Sequence, residues 1–326
     1  MNAIEVISLT KKFNGFTAVD NINFSVNPGE LFGFLGPNGA GKSTTTYMLA
    51  TILKPTSGTA KINGLDILHD SEKVRKSIGI VFQDQTLDNR LSAFDNLDIH
   101  GRLYGMPGEE RRKRIKEVLE LVELSDWSKK FVKTFSGGMR RRLEIARGLL
   151  HTPKILFLDE PTLGLDAQTR RHMWGYIQKL KEQGITIVMS THYLEEADAL
   201  CDRIAIIDHG KIIALDTPKN LKKSVGGQVL SIKNSNPEKM VEIIKTKNLG
   251  TNPRILEDVV SFEVKNASGA IAEIVTVAEK AGIKIENVEF HIPSLEDIFI
   301  KLTGTQIRKD NSAPSDFKRR MTMHGH

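Results

Sequence analysis

The stretch GPNGAGKS, from Gly36 to Ser43, lies between the apolar run LFGFL and a segment with helical character. Its outer glycines, its lysine and its final hydroxyl have the spacing of a phosphate-binding loop. Glycines let backbone amides close around phosphate oxygens, and the positive end of the following helix attracts the same anion. The stretch therefore predicts a nucleotide site in which Lys42 reaches the β- and γ-phosphates and Ser43 ligates Mg²⁺.

The segments on both sides of this loop follow strand and helix patterns in turn. Short alternating runs between about residues 4 and 62 predict strands, and continuous apolar strands such as ILFL (155–158) alternate with helices farther along the chain. Such strands are typical of a parallel sheet that is covered on both faces. Between about residues 91 and 150 the pattern is helical. The predicted fold class is therefore α/β, with a helical segment inserted between strands.

A second pattern begins near residues 225–227. Strand-like and helix-like segments follow in the order β, α, β, β, α, β, which predicts a small α+β domain of ferredoxin-like type from about Gly226 to Gly304. Residues 305–326 have no periodicity, and we expect them to be disordered.

The charge of the chain gives little support to a nucleic-acid partner. The formal net charge is +6, and half of this excess comes from residues 305–326, which hold five Lys/Arg and two Asp. The remaining body is only mildly basic, so we expect no nucleic acid to bind. Apolar runs such as Ile185–Met189 are also far shorter than the roughly 20 residues that span a bilayer.

Two carboxylates follow the apolar run ILFL. Asp159 ends this predicted strand, where its carboxylate can hold magnesium. Glu160 comes next, and because side chains alternate along a strand, we expect it to point to a different side. A carboxylate there can accept a proton from a water that attacks the γ-phosphate.

Three further positions have both a functional and a structural interpretation. Gln83 ends the run IGIVFQ and could touch magnesium and the attacking water, although a glutamine at a strand end is usually only polar. His192 follows ITIVMST and could bind the γ-phosphate, or it could be a structural histidine. Phe13 could stack on an adenine ring, or it could belong to the core.

The stretch FSGGMRRRLEIA, at 135–146, is a second glycine-rich helix start. Apolar residues such as Met139 and Leu143 predict one buried helix face, which leaves the arginines at 140–142 largely off that face. The arginine run at 111–114 has acidic neighbours, so we expect it to form a mixed, solvated face.

Taken in order, GPNGAGKS, Gln83, FSGGM, ILFLDE, LGLD and His192 resemble the nucleotide-binding subunit of ATP-binding cassette transporters. The resemblance covers roughly residues 3–218. It implies a P-loop NTPase domain at 1–218 with a mixed sheet and an inserted helical subdomain at about 84–153. The accessory domain at 226–304 and the tail at 305–326 follow.

The resemblance also implies roles for individual positions. It implies that two subunits pair head to tail and that the serine-glycine-glycine loop of each caps the ATP of the other. Nucleotide-binding roles fall on Phe13, Gly36, Pro37, Asn38, Gly39, Ala40, Gly41, Lys42, Ser43, Thr44, Ser136, Gly137, Gly138 and Asp166. Catalytic roles fall on Glu160, His192 and Gln83, and metal contacts on Ser43, Gln83 and Asp159. Phe135 and Met139 depart from the commonest leucine-serine-glycine-glycine-glutamine pattern, and we expect closure over ATP to survive this.

FSGGMRRRLEIA together with HIPSLEDIFIKLTG (291–304) is most similar to the daunorubicin-resistance type of subunit. This resemblance implies an ATPase that uses ATP and Mg²⁺ and pairs as a homodimer or a heterodimer of ATPase subunits. It would drive export of a drug, lipid or other amphiphile through a separately encoded, multi-spanning permease. The subunit would be cytoplasmic, peripheral on the cytoplasmic face of the cell membrane.

Two alternatives belong to other functional classes. A soluble cassette ATPase that acts on ribosomes or DNA typically has two cassettes or a long coiled coil, and neither pattern occurs in this sequence. A P-loop GTPase or kinase is disfavoured because the sequence has no Asn-Lys-x-Asp segment.

Overall fold

The structure, a computed structural model, describes residues 1–224, 228–264, 267–291 and 293–303. Contacts divide these residues into two compact units, Met1–Thr217 and a second unit that begins at Pro218. The tail predicted to be disordered, 305–326, and both predicted ends of the accessory domain, Gly226 and Gly304, lie outside the described residues.

The first unit contains ten strands and seven α-helices within its described residues. The strands are β1 (Ile4–Phe13), β2 (Phe16–Val26), β3 (Leu31–Leu35), β4 (Ser57–Ile62), β5 (Leu65–Asp66), β6 (Ile78–Val81), β7 (Ile155–Asp159), β8 (Thr186–Thr191), β9 (Arg203–Asp208) and β10 (Lys211–Asp216). The helices are α1 (Lys42–Leu49), α2 (Ser71–Ser77), α3 (Ala93–Leu103), α4 (Gly108–Leu121), α5 (Gly137–Leu149), α6 (Ala167–Glu182) and α7 (Leu194–Leu200).

A six-stranded mixed sheet positions the predicted site. Its strand order is β10-β9-β3-β8-β7-β6, in which every neighbouring pair is parallel except β10 with β9. Every residue of β3, β7 and β8 is buried, as expected for central strands covered on both faces. Because parallel strands end at the same edge, the segments that follow these three strands meet there.

A separate antiparallel sheet, in the order β2-β1-β4-β5, packs against the mixed sheet. One hydrophobic cluster takes residues from both sheets. Within it the rings of Phe24 and Phe32 stack with centroids 5.3 Å apart, and Phe34 packs edge-on against Phe32 at 5.4 Å. This aromatic contact packs β3, the strand that leads into the glycine-rich loop, against β2.

Helices α3, α4 and α5 occupy the stretch between β6 and β7. α3 begins with a capping box, in which Ser92 accepts from the backbone N–H of Asp95 and the Asp95 side chain returns to Ser92. Arg111 lies in the predicted solvated arginine run, but it is only 8% exposed and its Nε lies 2.6 Å from Asp98 Oδ1. That expectation is therefore wrong for Arg111, because an ion pair compensates its burial.

The second unit has an antiparallel sheet in the order β12-β13-β11-β14. Its elements are α8 (Pro218–Lys223), β11 (Gln228–Asn234), α9 (Pro237–Thr246), β12 (Thr251–Leu256), β13 (Val259–Val264), α10 (Ala267–Lys280), β14 (Ile285–His291) and α11 (Leu295–Thr303). Helices α9 and α10 contribute to one core with the sheet, which includes Leu230, Ile244 and Phe262. From β11 to β14 the element order is β, α, β, β, α, β.

Candidate functional site

The glycine-rich loop joins the end of β3 to the start of α1, and its geometry requires glycine at both ends. A Cβ atom on Gly36 would lie 2.2 Å from the backbone oxygen of Ile207. Gly41 has a φ of +107° and would place a Cβ atom 2.5 Å from the backbone oxygen of Ala18. Side chains at these positions would displace the loop, so the predicted phosphate loop is also sterically constrained.

The ammonium group of Lys42 is enclosed by the loop from which it comes. Its Nζ donates to the backbone oxygens of Gly36 at 2.7 Å and Pro37 at 3.1 Å. It also lies 3.6 Å from Glu160 Oε1. Burial lowers the pKa of Lys42, and the negative charges of Glu160 and Asp159 oppose this shift.

Asp159, the last residue of β7, is completely buried and lies beside Ser43. The Ser43 hydroxyl donates to Asp159 Oδ1 at 3.0 Å, and the Ser190 hydroxyl donates to the same oxygen. Within the described part of the chain, Asp159 Oδ2 is buried without a hydrogen-bond partner. Burial raises the pKa of Asp159 above its usual range, although Ser190 and Ser43 act in the opposite direction.

This arrangement fits a hard divalent cation. A buried carboxylate oxygen with no partner next to a serine hydroxyl offers the oxygen ligands that Mg²⁺ prefers. The described residues contain no group of three or more His, Cys, Asp or Glu side chains that could hold a metal ion. A cation held by these two oxygens would take its remaining ligands from water and nucleotide phosphates, as Mg²⁺ commonly does.

Glu160 has a left-handed backbone with a φ of +47°. This conformation costs a non-glycine residue about 1–3 kcal/mol, so the surrounding structure must hold it. This left-handed conformation ends β7. It, and not the alternation of side chains along a strand, sets the direction in which the Glu160 side chain points. The backbone N–H of Glu160 donates to the backbone oxygen of Ser190 at 3.2 Å, which fastens this turn to β8.

The side chain of Glu160 meets His192, the first residue after β8. His192 Nδ1 lies 3.2 Å from Glu160 Oε1, a close approach without the alignment of a regular hydrogen bond. Burial tends to raise the pKa of Glu160. The nearby His192 and the charge of Lys42 outweigh this effect and lower the pKa below its usual range. Glu160 is therefore ionised at neutral pH.

The structure brings Lys42, Ser43, Asp159, Glu160 and His192 together, but it places other predicted residues apart from them. In the loop, Pro37 and Thr44 are half-buried, Asn38 and Gly39 are exposed, and Ala40 is buried. Phe13 ends β1 and is half-buried, with Lys11 Nζ 4.9 Å from its ring centroid. Gln83 is exposed, two residues beyond the end of β6.

The remaining predicted nucleotide-binding residues lie at two adjacent helix starts. Ser136 is exposed and caps α5, with its hydroxyl oxygen accepting from the backbone N–H of Met139 at 3.2 Å. Gly137 is also exposed. Asp166 is exposed and caps α6 in the same way, with Oδ1 accepting from the N–H of Thr169 at 2.9 Å.

The first turns of α5 and α6 pack closely against each other. A Cβ atom on Gly138 would lie 2.5 Å from Thr169 Cγ2. A surface cavity of about 300 Å³ is lined in part by Ser136 and Gly138. Among the hydrogen bonds and ion pairs of the described residues, none joins Ser136 or Asp166 to the cluster around Lys42.

Both residues of the FSGGM stretch that depart from the commonest family pattern have a defined environment in the structure. Phe135 is buried, and its ring packs edge-on against that of Trp127 with centroids 5.8 Å apart. Met139 is half-buried at the edge of the cavity near Ser136. The aromatic residue therefore fills space behind the loop and does not alter its exposed face.

Arg141 lies in a buried position that the apolar pattern of the helix does not predict. The arginines at 140–142 were expected off the buried face of the helix, but Arg141 is only 8% exposed. Its guanidinium lies against the backbone of residues 159–161, beside the predicted catalytic carboxylate. The available signal was the acidic residue Glu144, three positions later on the helix, which can neutralise a buried arginine.

Comparison with known proteins places these features among ATP-dependent transport proteins. Residues 19–163 match the family model described as ABC transporter, and residues 217–303 match the model described as ATP-binding protein DrrA1-3-like, C-terminal domain. The chain is 38% identical over 309 residues to the daunorubicin/doxorubicin resistance ATP-binding protein DrrA of Streptomyces peucetius, covering 93% of this chain and 92% of that protein.

Two further matches concern a second relative and a solved structure. The linearmycin resistance ATP-binding protein LnrL of Bacillus subtilis is 36% identical over 309 residues, which cover 94% of this chain and 99% of that protein. A dimeric structure of a post-hydrolysis state of an ATP-binding cassette, bound to ADP and Pi, aligns with a TM-score of 0.60 and 31% identity. That alignment covers 66% of this chain and 98% of the solved chain.

Proposed function

Because this chain belongs to the ATP-binding cassette transporter family and is an ATP-hydrolysing subunit of that family, we propose that it powers an exporter through the cluster around Lys42. The observation that carries this proposal is the convergence of five side chains at the ends of β3, β7 and β8. Glu160 Oε1 lies 3.6 Å from Lys42 Nζ and 3.2 Å from His192 Nδ1, and Ser43 bonds to Asp159.

The glycine-rich loop binds the phosphates of ATP in this proposal. Backbone N–H groups of the loop, to which Pro37 contributes none, surround the phosphate oxygens, and the N-terminus of α1 faces them through Ser43 and Thr44. Lys42 carries the compensating positive charge. Phe13, half-buried at the end of β1, stacks on the base.

Ser43 and Asp159 would hold Mg²⁺, and Gln83 would add a contact from its exposed loop. When bound, the ion neutralises negative charge on the phosphates. The buried Oδ2 atom of Asp159 supports this assignment, because a buried carboxylate oxygen that has no hydrogen-bond partner among the described residues is costly without a cation.

Glu160 acts as the general base in this proposal. Its ionised carboxylate orients the attacking water and accepts a proton from it. The lowered pKa of Glu160 makes this carboxylate a weaker base, and the negative charge that develops on the phosphate is needed to favour its protonation. His192 is held beside Glu160, so its ring can contact the γ-phosphate while it keeps the carboxylate in place.

We further propose that two subunits close head to tail over two ATP molecules. Ser136 is exposed at the N-terminus of α5, where its hydroxyl hydrogen and the helix dipole suit a phosphate from a second subunit. Gly137 is exposed and continues this surface, Gly138 follows it in a buried position, and Asp166 lies at the neighbouring helix start. The dimeric form of the similar cassette bound to ADP and Pi supports this arrangement.

A separately encoded permease is the proposed membrane partner. In the described part of the chain, no helix combines spanning length with an apolar sequence. The relatives are named for resistance to daunorubicin, doxorubicin and linearmycin, which supports export of an amphiphilic compound. The subunit would then lie on the cytoplasmic face of the membrane, held there by the permease.

The site assignment is tested with Glu160→Gln, which keeps the shape of the side chain and removes the base. We expect ATP hydrolysis to fall at least about 100-fold, because general acid–base groups contribute on this order. We expect ATP to convert the variant to a stable dimer in size-exclusion chromatography. Glu182→Gln, at the exposed end of α6, is the matched control and should hydrolyse ATP like the wild type. Normal hydrolysis by Glu160→Gln without any ATP-driven dimer would overturn the assigned roles.

The partner is tested by recovering the native complex from solubilised membranes. We expect a co-purifying subunit with several apolar stretches of about 20 residues each. Retention of the protein on ribosomes or DNA, with no membrane partner, would favour a soluble cassette ATPase instead.

A further inference from the structure

Helix α5 carries a buried positive charge near its exposed, serine-capped start. We propose that this residue, Arg141, is a positioning residue that holds the backbone of Glu160 in its left-handed conformation and ties it to the loop after β6. The proposal rests on the role of Glu160 proposed above. It adds a residue from the FSGGMRRR stretch to the ATP site of its own chain.

The hydrogen bonds of Arg141 use the whole guanidinium group. Its Nε donates to the backbone oxygen of Pro161 at 2.9 Å. Its Nη2 donates to the backbone oxygens of Asp159 at 2.8 Å and Glu160 at 2.9 Å. Its Nη1 donates to the backbone oxygen of Phe82 and to a Glu144 carboxylate oxygen. A guanidinium has five N–H donors, and each of them has an acceptor in this site.

Glu144 completes the arrangement and brings in a second part of the loop after β6. One of its carboxylate oxygens accepts from Arg141 Nη1 at 2.9 Å, and the other accepts from the backbone N–H of Thr86 at 2.9 Å. Glu144 is 1% exposed, so the ion pair is buried on both sides. A buried pair persists only where its geometry and its hydrogen bonds are complete, as they are in this pair.

The three carbonyls at residues 159–161 explain what Arg141 does there. They belong to the turn in which β7 ends, and Glu160 at its centre has a φ of +47°. Three successive carbonyls that point at one planar cation cannot rotate independently. The guanidinium therefore fixes the turn that sets the direction of the Glu160 side chain toward Lys42 and His192.

The neighbouring arginines do not share this arrangement. Arg140 makes its side-chain contacts at 3.5 Å to Gln85 and 3.4 Å to Lys133. Arg142 donates to the backbone oxygen of Val122 and to the Tyr176 hydroxyl. In the described structure, only the middle arginine of the run bonds to the turn at Glu160.

The position of Arg141 on α5 adds a consequence for the dimer. Ser136, at the start of the same helix, is the residue proposed to contact ATP held by a second subunit. The same helix therefore contacts one nucleotide directly and positions the catalytic carboxylate of the other site. A shift of α5 upon closure would be carried through Arg141 to Glu160 and, through Glu144, to Thr86.

The test compares Arg141→Met, which has similar length and no charge, with Arg141→Lys and Glu144→Gln. We expect Arg141→Met to lower kcat about 10- to 100-fold, because small displacements of a catalytic group cost rates of that order. The KM for ATP should stay within about threefold, because the phosphate loop is untouched. Lysine can satisfy only some of the acceptors, so Arg141→Lys should recover part of the loss. Arg112→Met, an exposed arginine on α4, is the control.

A double-mutant cycle distinguishes the positioning of Glu160 by Arg141 from a general contribution of Arg141 to the fold. Arg141→Met should slow single-turnover hydrolysis strongly when Glu160 is present, but less than about threefold in the Glu160→Gln background. An equal loss in both backgrounds, or a wild-type kcat for Arg141→Met, would overturn the proposal. If Arg141→Met does not fold, wild-type kcat in both Arg141→Lys and Glu144→Gln would overturn it.

These outcomes are distinct from failure of the proposed function. If Glu160→Gln alone hydrolyses ATP normally, the role of Glu160 is wrong and the inference about Arg141 falls with it. If Glu160→Gln is inactive and forms the ATP-driven dimer, while Arg141→Met keeps its rate, only the inference about Arg141 is wrong.

Discussion

At the scale of single residues, two adjacent carboxylates have opposite electrostatic environments. Asp159 is buried beside hydroxyl groups, and burial raises its pKa. Burial acts on Glu160 in the same direction, but His192 and Lys42 outweigh it and lower the pKa of Glu160. The pKa values of two carboxylates on one turn are thus shifted in opposite directions, which supports the separate roles proposed for them, a metal ligand for Asp159 and a general base for Glu160.

Asp159→Asn should stabilise the protein in the absence of Mg²⁺ and nucleotide. The substitution removes a buried negative charge whose Oδ2 atom has no partner among the described residues, and such an atom costs about 1–3 kcal/mol. Thermal denaturation at neutral pH in chelator measures the effect as a higher Tm. Asp126→Asn is the control, because Asp126 is an exposed carboxylate of the same unit. A lower Tm for Asp159→Asn would contradict the interpretation of Asp159 as an uncompensated metal ligand.

At the scale of elements, three helices of the first unit begin with the same side-chain cap. Ser92, Ser136 and Asp166 each accept from the backbone N–H three residues later, at the starts of α3, α5 and α6. This contact satisfies a donor that a helix terminus leaves unpaired. At α5 the capping serine is exposed, so one side chain can serve both the helix and a phosphate from outside the chain.

Comparison of Ser92→Ala with Ser136→Ala should separate these two roles. Each substitution removes an N-cap, so each should lower the free energy of unfolding by about 1 kcal/mol. Only Ser136→Ala should also lower kcat, because only Ser136 is proposed to contact the nucleotide of a second subunit. Denaturant unfolding and steady-state ATPase assays measure the two effects. Equal ATPase rates in the two variants would argue against a nucleotide contact by Ser136.

α3 also carries a histidine that should make the first unit sensitive to acid. Burial, assisted by the positive charges of Arg147 and His151, lowers the pKa of His100 to about 4. Between about pH 6.5 and pH 4 the unfolded chain binds a proton at this site and the folded chain does not, so stability falls as the pH falls.

His100→Phe keeps a ring against Tyr104 and removes this titration. We expect the variant to lose about 1–3 kcal/mol less stability than the wild type between pH 7 and pH 4.5. Denaturant unfolding at a series of pH values measures the difference. His69→Phe, at an exposed position, should retain the pH dependence of the wild type. Parallel curves for His100→Phe and the wild type would contradict the role of His100.

At the scale of the whole molecule, each unit has its own hydrophobic core. The cluster of the first unit joins its two sheets, and the cluster of the second joins α9 and α10 to their sheet, with no residue in common. The phosphate loop, the carboxylates and both capped helix starts lie within residues 1–217. All residues with a proposed nucleotide role therefore belong to one unit.

A chain that ends at Thr217 should consequently fold and bind ATP. The residues of its hydrophobic cluster and of its phosphate loop all lie in the first unit. We expect a single cooperative unfolding transition and an increase of Tm upon addition of ATP and Mg²⁺, as expected for a ligand that binds only the folded state. Calorimetry measures both. A truncated chain that fails to unfold cooperatively would show that the first unit depends on the second.

The family and the fold class predicted from the sequence are confirmed, because their signals are local. A phosphate loop between a strand and a helix can be recognised from the spacing of its glycine, lysine and serine residues alone. The burial of Arg141 was not predicted, since apolar periodicity treats every arginine as a surface residue and ignores a neutralising partner such as Glu144. The left-handed backbone of Glu160 was also not predicted, because it depends on contacts from α5 and β8 that are remote in sequence.

Lys42 shows how the loop can release what it binds. Its ammonium group has three N–H donors, and backbone oxygens of its own loop already accept from it. Two of the three donors are therefore occupied by the protein itself, and a phosphate oxygen can take the third or displace one of the loop oxygens. When phosphate departs from the proposed site, the loop oxygens still accept from the ammonium group, so release leaves no buried positive charge without hydrogen-bond partners.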